Sequence, residues 1–270
     1  MTLRRLMFLA GVATISAWVL VPLYLIALAA TGGRAVVDAW PKPFLPVGSL
    51  TAILAPIVSF LNIQGVWQAL LVSVEAALVC VVISLVLGLP AGYALARFSF
   101  RGANFFRVLV LMTRAFPVVI LALPLAVTFI RLGLYDTPLG VGLMHTALAL
   151  PFTILVSASL FQAIPTELEE ASWVFGCSRV TAFRRIVIPL ALPGIAAAAT
   201  FAFVISWNEV FAASVLTVRH RTLTAFLLTI LPESPLDVQF TGAFLLIIPS
   251  VLFIFLVRKR LFSVWGIASH

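Results

Sequence analysis

The chain has 270 residues, a mean hydropathy of +1.20, and charged side chains at only 10% of its positions. Soluble domains carry about 25% charged residues, so this composition excludes a soluble globular protein and indicates an array of membrane helices. The formal net charge of +8 does not indicate nucleic-acid binding, because most basic residues flank apolar runs, which is the pattern that orients a membrane protein.

Six apolar runs are long enough to cross a bilayer, which takes about 20 mainly apolar residues. We predict spanning helices at roughly 8–31, 68–96, 106–131, 139–162, 190–217 and 241–257. The first run is longer than the core of a cleavable signal peptide, about 7–15 residues, so we predict a retained helix. In segment 32–67, "WPKPFLPVGS" predicts an irregular loop, and "LTAILAPIVSFLNI" predicts a short interfacial or re-entrant helix.

Basic residues indicate the orientation of these spans. Six spans put both termini on one side, and if that side is the cytoplasm, inner segments hold eleven basic residues and outer segments five. This excess predicts that both termini are cytoplasmic. The segment between the fourth and fifth spans is then cytoplasmic as well.

That segment, residues 165–185, holds six of the 26 charged side chains. Pro165 suits a first helical turn, three glutamates follow near the positive end of the helix dipole, and Gly176 offers a stop, so we predict a helix over Pro165–Phe175. One face would carry Leu168, Ala171 and Phe175, with Val174 beside them. We expect a second short helix at Ser178–Ile188, with Pro189 and Pro193 marking the start of the fifth span.

Such a charged helix is too short to span a bilayer. It must lie on the membrane surface as an amphipathic helix or dock on a partner protein. The residues alone leave both alternatives open.

No motif for catalysis or metal binding is present. The chain lacks a G-x-x-x-x-G-K-[ST] phosphate loop, a G-x-S-x-G elbow and an H-E-x-x-H pair. Its three histidines are scattered and its two cysteines are distant, so we expect no metal site. We therefore expect a chain that catalyses nothing by itself.

Three ionisable residues fall within predicted spans, where charge is costly and a functional role is the default hypothesis. They are Glu75, Arg114 and Glu209. Glu209 follows Trp207 and Asn208, and an aromatic face beside an amide and a carboxylate suits a polyhydroxylated solute. Arg114, Trp207, Asn208 and Glu209 are therefore candidates for a solute path. Structural ion pairs and helix packing are the alternatives.

The charged segment resembles a known motif. Glu170, Ala171, Ser172, Gly176, Ile186 and Pro189 have the spacing E-A-A-x3-G-x9-I-x-L-P of the EAA loop of ABC importer permeases, with Ser172 and Ile188 as mild departures. "LVLGLPAGYALARFSFRG", "AFP", "LGLYDTPLG" and "SWNEVFAASVLT" are similar to the carbohydrate branch of this binding-protein-dependent type I family. The resemblance covers roughly residues 68–262 and is strongest to the smaller, six-helix permease typified by the maltose importer's G subunit.

The resemblance implies an all-α polytopic membrane protein of six transmembrane helices, with a cytoplasmic coupling helix between the fourth and fifth. It implies one permease domain, residues 1–270, in which 1–67 form the first helix and external loop, 68–262 the core and 165–188 the coupling loop. The six motif residues would couple the chain to an ATPase. Implied partners are an ATP-binding subunit dimer that binds ATP and Mg, a second and different permease, an external solute-binding protein and the lipid bilayer of a bacterial inner membrane.

The expected function is therefore the permease subunit of an ATP-driven importer for a sugar or sugar alcohol. An importer for glycerol phosphate, polyamine or another small solute is the nearest alternative, and Arg114 keeps an anionic solute open. An ion-coupled secondary transporter and a membrane scaffold are alternatives of other classes, and neither requires an EAA loop. The sequence does not identify the solute.

Overall fold

The computed structural model describes residues 3–45 and 48–261, and all regular elements in these ranges are helical. The helices are α1 (Leu3–Val37), α2 (Leu50–Leu61), α3 (Val66–Arg97), α4 (Ala103–Met112), α5 (Val118–Leu132), α6 (Pro138–Gln162), α7 (Glu167–Val174), α8 (Arg179–Ala182), α9 (Ile188–Asn208), α10 (Phe211–Leu216), α11 (Leu223–Ile230) and α12 (Leu236–Leu261). Single 3-10 turns occupy Thr113–Ala115 and Leu231–Glu233, and a π turn occupies Phe183–Val187.

The number of spans agrees with the sequence. Within the described ranges, five helices are long and apolar enough to cross a membrane, and the count is six if a bent pair of helices is one span. The five are Arg4–Val37, Val66–Arg97, Pro138–Gln162, Arg179–Asn208 and Leu236–Val257. The predicted all-α, polytopic fold is confirmed.

The third predicted span, 106–131, is bent in the structure. The segments Ala103–Ala115 and Val118–Leu132 meet at 88°. Pro117 accounts for the break, since its ring disfavours the helical region for the preceding residue, and Phe116 has the extended values φ −74° and ψ 122°. Phe116 and Pro117 therefore divide the span into two helices.

The fifth span also differs from the prediction. A separate helix at Ser178–Ile188 was expected, but the chain is helical without a break from Arg179 to Asn208. Pro189 lacks an N–H and crowds the carbonyl four residues earlier, and the helix accommodates it by widening into the π turn just before it. The span ends at Asn208, before the predicted residue 217, and α10 follows as a short separate helix.

The chain divides into two compact units. Unit 1 comprises Met1–Trp67 with Leu227–Pro249, and unit 2 comprises Gln68–Phe226 with Ser250–His270. In unit 1, α1 packs on α2, and the hydroxyl of Thr241 donates to the carbonyl of Ala30 at 3.1 Å. The predicted short helix at 50–63 is present as α2.

In unit 2 the most extensive packing is between α6 and α9. The G-x-x-x-G spacing of Gly88 and Gly92 brings α3 against α6 as well. A Cβ atom on Gly88 would lie 2.6 Å from Cγ2 of Thr153, and one on Gly92 would lie 2.6 Å from Cβ of Ser157. Glycine is thus required for this close approach.

Candidate functional site: the loop between α6 and α9

The helix α7 forms where the sequence places it, one residue shorter at its end and two at its start. It stops in a Schellman motif, in which the N–H of Cys177 donates to the carbonyl of Ser172 at 3.0 Å and that of Gly176 to Trp173 at 2.9 Å. Gly176 has φ +84°, a left-handed conformation that favours glycine. The motif glycine therefore ends the helix and turns the chain towards α8.

One side of α7 carries exposed apolar side chains. Val174 is 85% exposed, Phe175 at its C-cap is 87% exposed and Leu168 is 44% exposed. Ala171 lies on the same side and is exposed, as is the carboxylate of Glu170. We name Leu168, Ala171, Val174 and Phe175 the α7 face. An exposed apolar patch of this kind marks an interaction surface.

Glu169, next to the motif glutamate, points inward. Its Oε1 atom accepts a hydrogen bond from Nε of Arg97 at 2.6 Å, and its Oε2 atom accepts one from the hydroxyl of Tyr93. The side chains of Arg97 and Glu169 are only 9% and 3% exposed. Sequence reasoning missed this cluster, and the only signal for it was the arginine at the end of the second span.

The six motif residues lie in two places. Glu170, Ala171, Ser172 and Gly176 belong to α7 and its C-terminal turn, where the Ser172 hydroxyl is buried and donates to the carbonyl of Glu169 at 2.7 Å. Ile186 is half-buried in the π turn, and Pro189 is exposed just after it. The two places are joined by α8, and the guanidinium of Arg179 lies 4.7 Å from the ring centre of Trp173.

Arg114, the first solute-path candidate, opens onto a recess at the bend of the third span. The recess has a volume of about 670 Å³, and its wall is mainly apolar, with contributions from α5, α6 and Ile205 of α9. Arg114 lies in the 3-10 turn before Phe116 and is exposed. Within residues 3–45 and 48–261 its guanidinium has no ion pair.

The other three candidates lie at the end of α9. Trp207 is buried and its ring stacks on Phe203, with centres 5.7 Å apart. Asn208 is exposed, and its amide donates to the carbonyl of Val204, one turn earlier, at 3.0 Å. Trp207, Asn208 and Glu209 are consecutive in the sequence, but their side chains lie in different environments and do not form one site.

Glu209 caps the helix α10. Its carboxylate accepts the backbone N–H groups of Phe211 and Ala212 at 3.0 Å each and of Ala213 at 3.1 Å. Nε2 of the buried His145 lies 3.3 Å from Oε2 of Glu209, without the angle of a hydrogen bond, and Nδ1 of His145 bonds to Ser206 at 2.8 Å. The carboxylate therefore holds the turn between α9 and α10.

Glu75, the third ionisable residue of the spans, is exposed on α3. It lies in a stripe of otherwise apolar exposed residues at helical spacing, with Leu71, Leu78, Val82 and Val86. No salt bridge of Glu75 occurs in the part of the chain that the structure describes. The same part contains no group of three or more His, Cys, Asp and Glu residues that could hold a metal ion.

A second carboxylate cap joins the turn before α6 to the turn after α10. Oδ1 of Asp136 accepts the N–H groups of Val218 at 2.7 Å and of Arg219 and His220 at 3.0 Å. The N–H of Asp136 donates to the carbonyl of Leu216 at 2.9 Å. The pairing spans more than 80 positions, and no sequence pattern indicated it.

The chain is similar in sequence to known proteins. The family model described as "Binding-protein-dependent transport system inner membrane component" matches residues 84–262. The chain is 37% identical to an ABC transporter permease protein of Streptomyces antibioticus over 74% of this chain and 89% of that one. It is 32% identical to the trehalose transport system permease protein of Mycobacterium tuberculosis, over 76% of this chain and 79% of the relative.

Among solved structures, the fold is similar to a chain of a bacterial ABC transporter involved in the import of the acidic polysaccharide alginate. The TM-score is 0.74 at 21% identity, over 94% of this chain and 96% of that chain. At this identity the likeness concerns the fold alone.

Proposed function

Since the chain belongs to the family of inner-membrane components of binding-protein-dependent transport systems, we propose that it is the permease subunit of an importer for a sugar or sugar alcohol. Subunits of this family are not catalytic, and a separate ATPase provides the energy. The trehalose relative supports a carbohydrate cargo. The family match also removes the ion-coupled alternative.

The observation that carries the coupling role is the α7 face. A soluble loop that exposes Phe175 and Val174 almost fully has an unfavourable apolar surface unless a partner covers it. The partner that we propose is the ATP-binding subunit, because a groove on its surface would fit an amphipathic helix of two turns. Glu170, exposed beside the face, is available for a charged contact at its rim.

The proposed mechanism is alternating access. ATP, with Mg, binds the partner ATPase dimer and closes it, and α7 moves with the ATPase surface on which it docks. The helix bundle then opens outward and accepts solute from an external binding protein. The ATPase shifts this equilibrium only by making different contacts with α7 in the two states.

The proposed assembly has a second, different permease beside this one and both termini in the cytoplasm. The excess of basic residues, eleven in the inner segments against five in the outer ones, supports this orientation. Glu75 supports a neighbouring protein, because a carboxylate facing lipid is costly. Residues 165–188 then form the cytoplasmic coupling loop of a single permease domain, with 1–67 as the first helix and external loop and 68–262 as the core.

For the solute path we propose the recess beside Arg114, with Asn208 exposed at the end of α9. Trp207 would act through its buried ring, and Glu209 by fixing the turn between α9 and α10. The Arg114 guanidinium has no ion pair among the residues that the structure describes, which also favours a second cargo, an anionic solute of the glycerol phosphate class. Polyamines fit poorly beside the Arg114 guanidinium because like charges repel.

Two variants test the coupling role in the assembled importer. We predict that Gly176→Arg and Glu170→Lys abolish solute uptake while the protein still inserts, since the first strains the left-handed turn and the second reverses the exposed charge. Arg101→Glu, in the loop after α3, is the matched charge-reversal control and is expected to transport. Normal uptake at normal expression in both α7-loop variants would contradict the proposal.

One substitution tests the solute path. We predict that Arg114→Ala weakens apparent solute affinity in uptake about tenfold, because the guanidinium contributes a charge-assisted hydrogen bond of about 1.5 kcal/mol. Arg131→Ala, at the end of α5, is the control and should leave affinity unchanged. Unchanged affinity and rate in Arg114→Ala would remove Arg114 from the path.

A further inference from the structure

We propose that Glu169, Arg97 and Tyr93 form an anchor that transmits the movement of α7 to the spanning helix α3. The inference rests on the proposed function, in which α7 docks on the ATPase. It assigns a positioning role to three residues that are not among the six that match the EAA motif. We name this set the Glu169 anchor.

The contacts of the anchor use both oxygens of one carboxylate. Arg97, the last residue of α3, donates from Nε to Oε1 of Glu169 at 2.6 Å, and Tyr93, one turn earlier on α3, donates its hydroxyl to Oε2. Arg97 also donates from Nη2 to the carbonyl of Ile164 at 2.8 Å, in the segment between α6 and α7. Thus α7 is bound to α3 at two points, and α3 to the chain that leads into α7 at a third.

Burial makes this connection stiff. The side chains of Arg97 and Glu169 are 9% and 3% exposed, so water has little access to either partner. Separating a buried, hydrogen-bonded ion pair leaves an uncompensated charge on each side. Movement of α7 therefore carries the end of α3 with it more readily than it breaks the pair.

The anchor is continuous with an aromatic cluster at the ends of three spanning helices. The ring of Tyr93 lies 5.6 Å from that of Phe161 on α6 and 4.6 Å from that of Phe183 in the π turn before α9. Val187 and Ala191 complete this buried cluster. Displacement of Tyr93 is thereby passed to α6 and α9 as well as α3.

The side chains of two adjacent glutamates thus point in opposite directions. Glu170 is exposed and free to meet a partner chain, whereas Glu169 is buried and bound within this chain. A force applied at the outer surface of α7 reaches the bundle through Glu169. Movement of α7 can also reach the bundle through the apolar contacts of Phe183 in the π turn. The Glu169 anchor is the polar connection.

The test uses the complete importer with its ATPase, partner permease and binding protein. We expect Glu169→Gln to assemble and keep its basal ATP hydrolysis, while stimulation by binding protein and solute falls about tenfold, a usual size for coupling between sites. Tyr93→Phe removes one hydroxyl and should lower stimulation about threefold. Glu167→Gln, exposed on the same helix, is the control and should leave stimulation unchanged.

The outcomes separate the anchor from the proposed function. Normal stimulation in both Glu169→Gln and Tyr93→Phe would overturn the anchor. If Glu169→Gln fails to assemble, Tyr93→Phe decides, because a phenylalanine fits the same aromatic cluster. Lack of any solute-stimulated ATP hydrolysis in the unsubstituted importer would instead contradict the proposed function.

Discussion

At the scale of single residues, two carboxylates in this chain hold backbone turns. Asp136 accepts three N–H groups from the turn after α10, and Glu209 accepts three from the first turn of α10. Both lie where the chain leaves or re-enters a long helix. A charged acceptor for three unpaired donors stabilises such a turn because those donors have no helical partner.

The pH dependence of stability should report on Asp136. Burial alone would raise the pKa of its carboxyl, but the backbone N–H groups of His220, Val218 and Arg219 lower it below the ordinary value. A lowered folded pKa means that the stabilisation is complete above the unfolded pKa, about 3.9, and is lost as pH falls through the folded value. We predict that thermal stability falls steeply below about pH 4.

Asp136→Ala isolates this contribution. We expect it to lower the free energy of unfolding by about 1–2 kcal/mol at neutral pH, as for loss of a helix cap, and to flatten the acid limb of the pH profile. Thermal unfolding of the purified protein in detergent measures both effects. Asp38→Ala, an exposed carboxylate in the loop after α1, is the control, and equal profiles for the two variants would contradict the assignment.

At the scale of elements, apolar run length predicted the spans because a helix that crosses a bilayer satisfies its own backbone groups. The bend at Phe116 and Pro117 was not predicted, since prolines inside the spans at Pro90 and Pro151 leave α3 and α6 unbroken. Composition does not tell which proline breaks a membrane helix, because neighbouring packing decides. The π turn before Pro189 is likewise a local response of the helix to a proline, and the sequence did not predict it.

At the site, too, local structure could be predicted from the sequence and long-range contacts could not. Pro165, the three glutamates that follow it and Gly176 predicted α7 and its stop. The partnership of Glu169 with Arg97 links positions 72 residues apart, and that pairing depends on the tertiary fold. The sequence therefore predicts the helix α7, whereas its contact with α3 is seen only in the structure.

The contact between α3 and α6 allows a prediction for one element pair. In Gly92→Ala the new Cβ would lie 2.6 Å from Cβ of Ser157 and 2.9 Å from the backbone nitrogen of Ala158, so α3 must move away from α6. We expect a loss of about 1–3 kcal/mol in unfolding free energy, as for overpacked cores. Gly11→Ala in α1 has nothing within 4 Å and is the matched control. Equal melting temperatures for the two variants would contradict the close packing.

At the scale of the whole molecule, the described chain leaves surfaces that its own helices do not cover. The α7 face, the stripe on α3 around Glu75 and the recess beside Arg114 are all open. A single membrane protein would expose neither an ionisable residue to lipid nor a strongly apolar helix to water. These surfaces fit a subunit of a larger assembly, as its family membership requires.

In the proposed function, this chain couples solute to a partner ATPase through α7. The most direct measurement is ATP hydrolysis by the importer reconstituted in liposomes, screened over sugars, sugar alcohols and glycerol phosphate with the external binding protein present. We predict that one of these solutes stimulates hydrolysis and that Phe175→Asp in the α7 face abolishes the stimulation. Solute uptake that continues without ATP hydrolysis, or stimulation unchanged by Phe175→Asp, would contradict it.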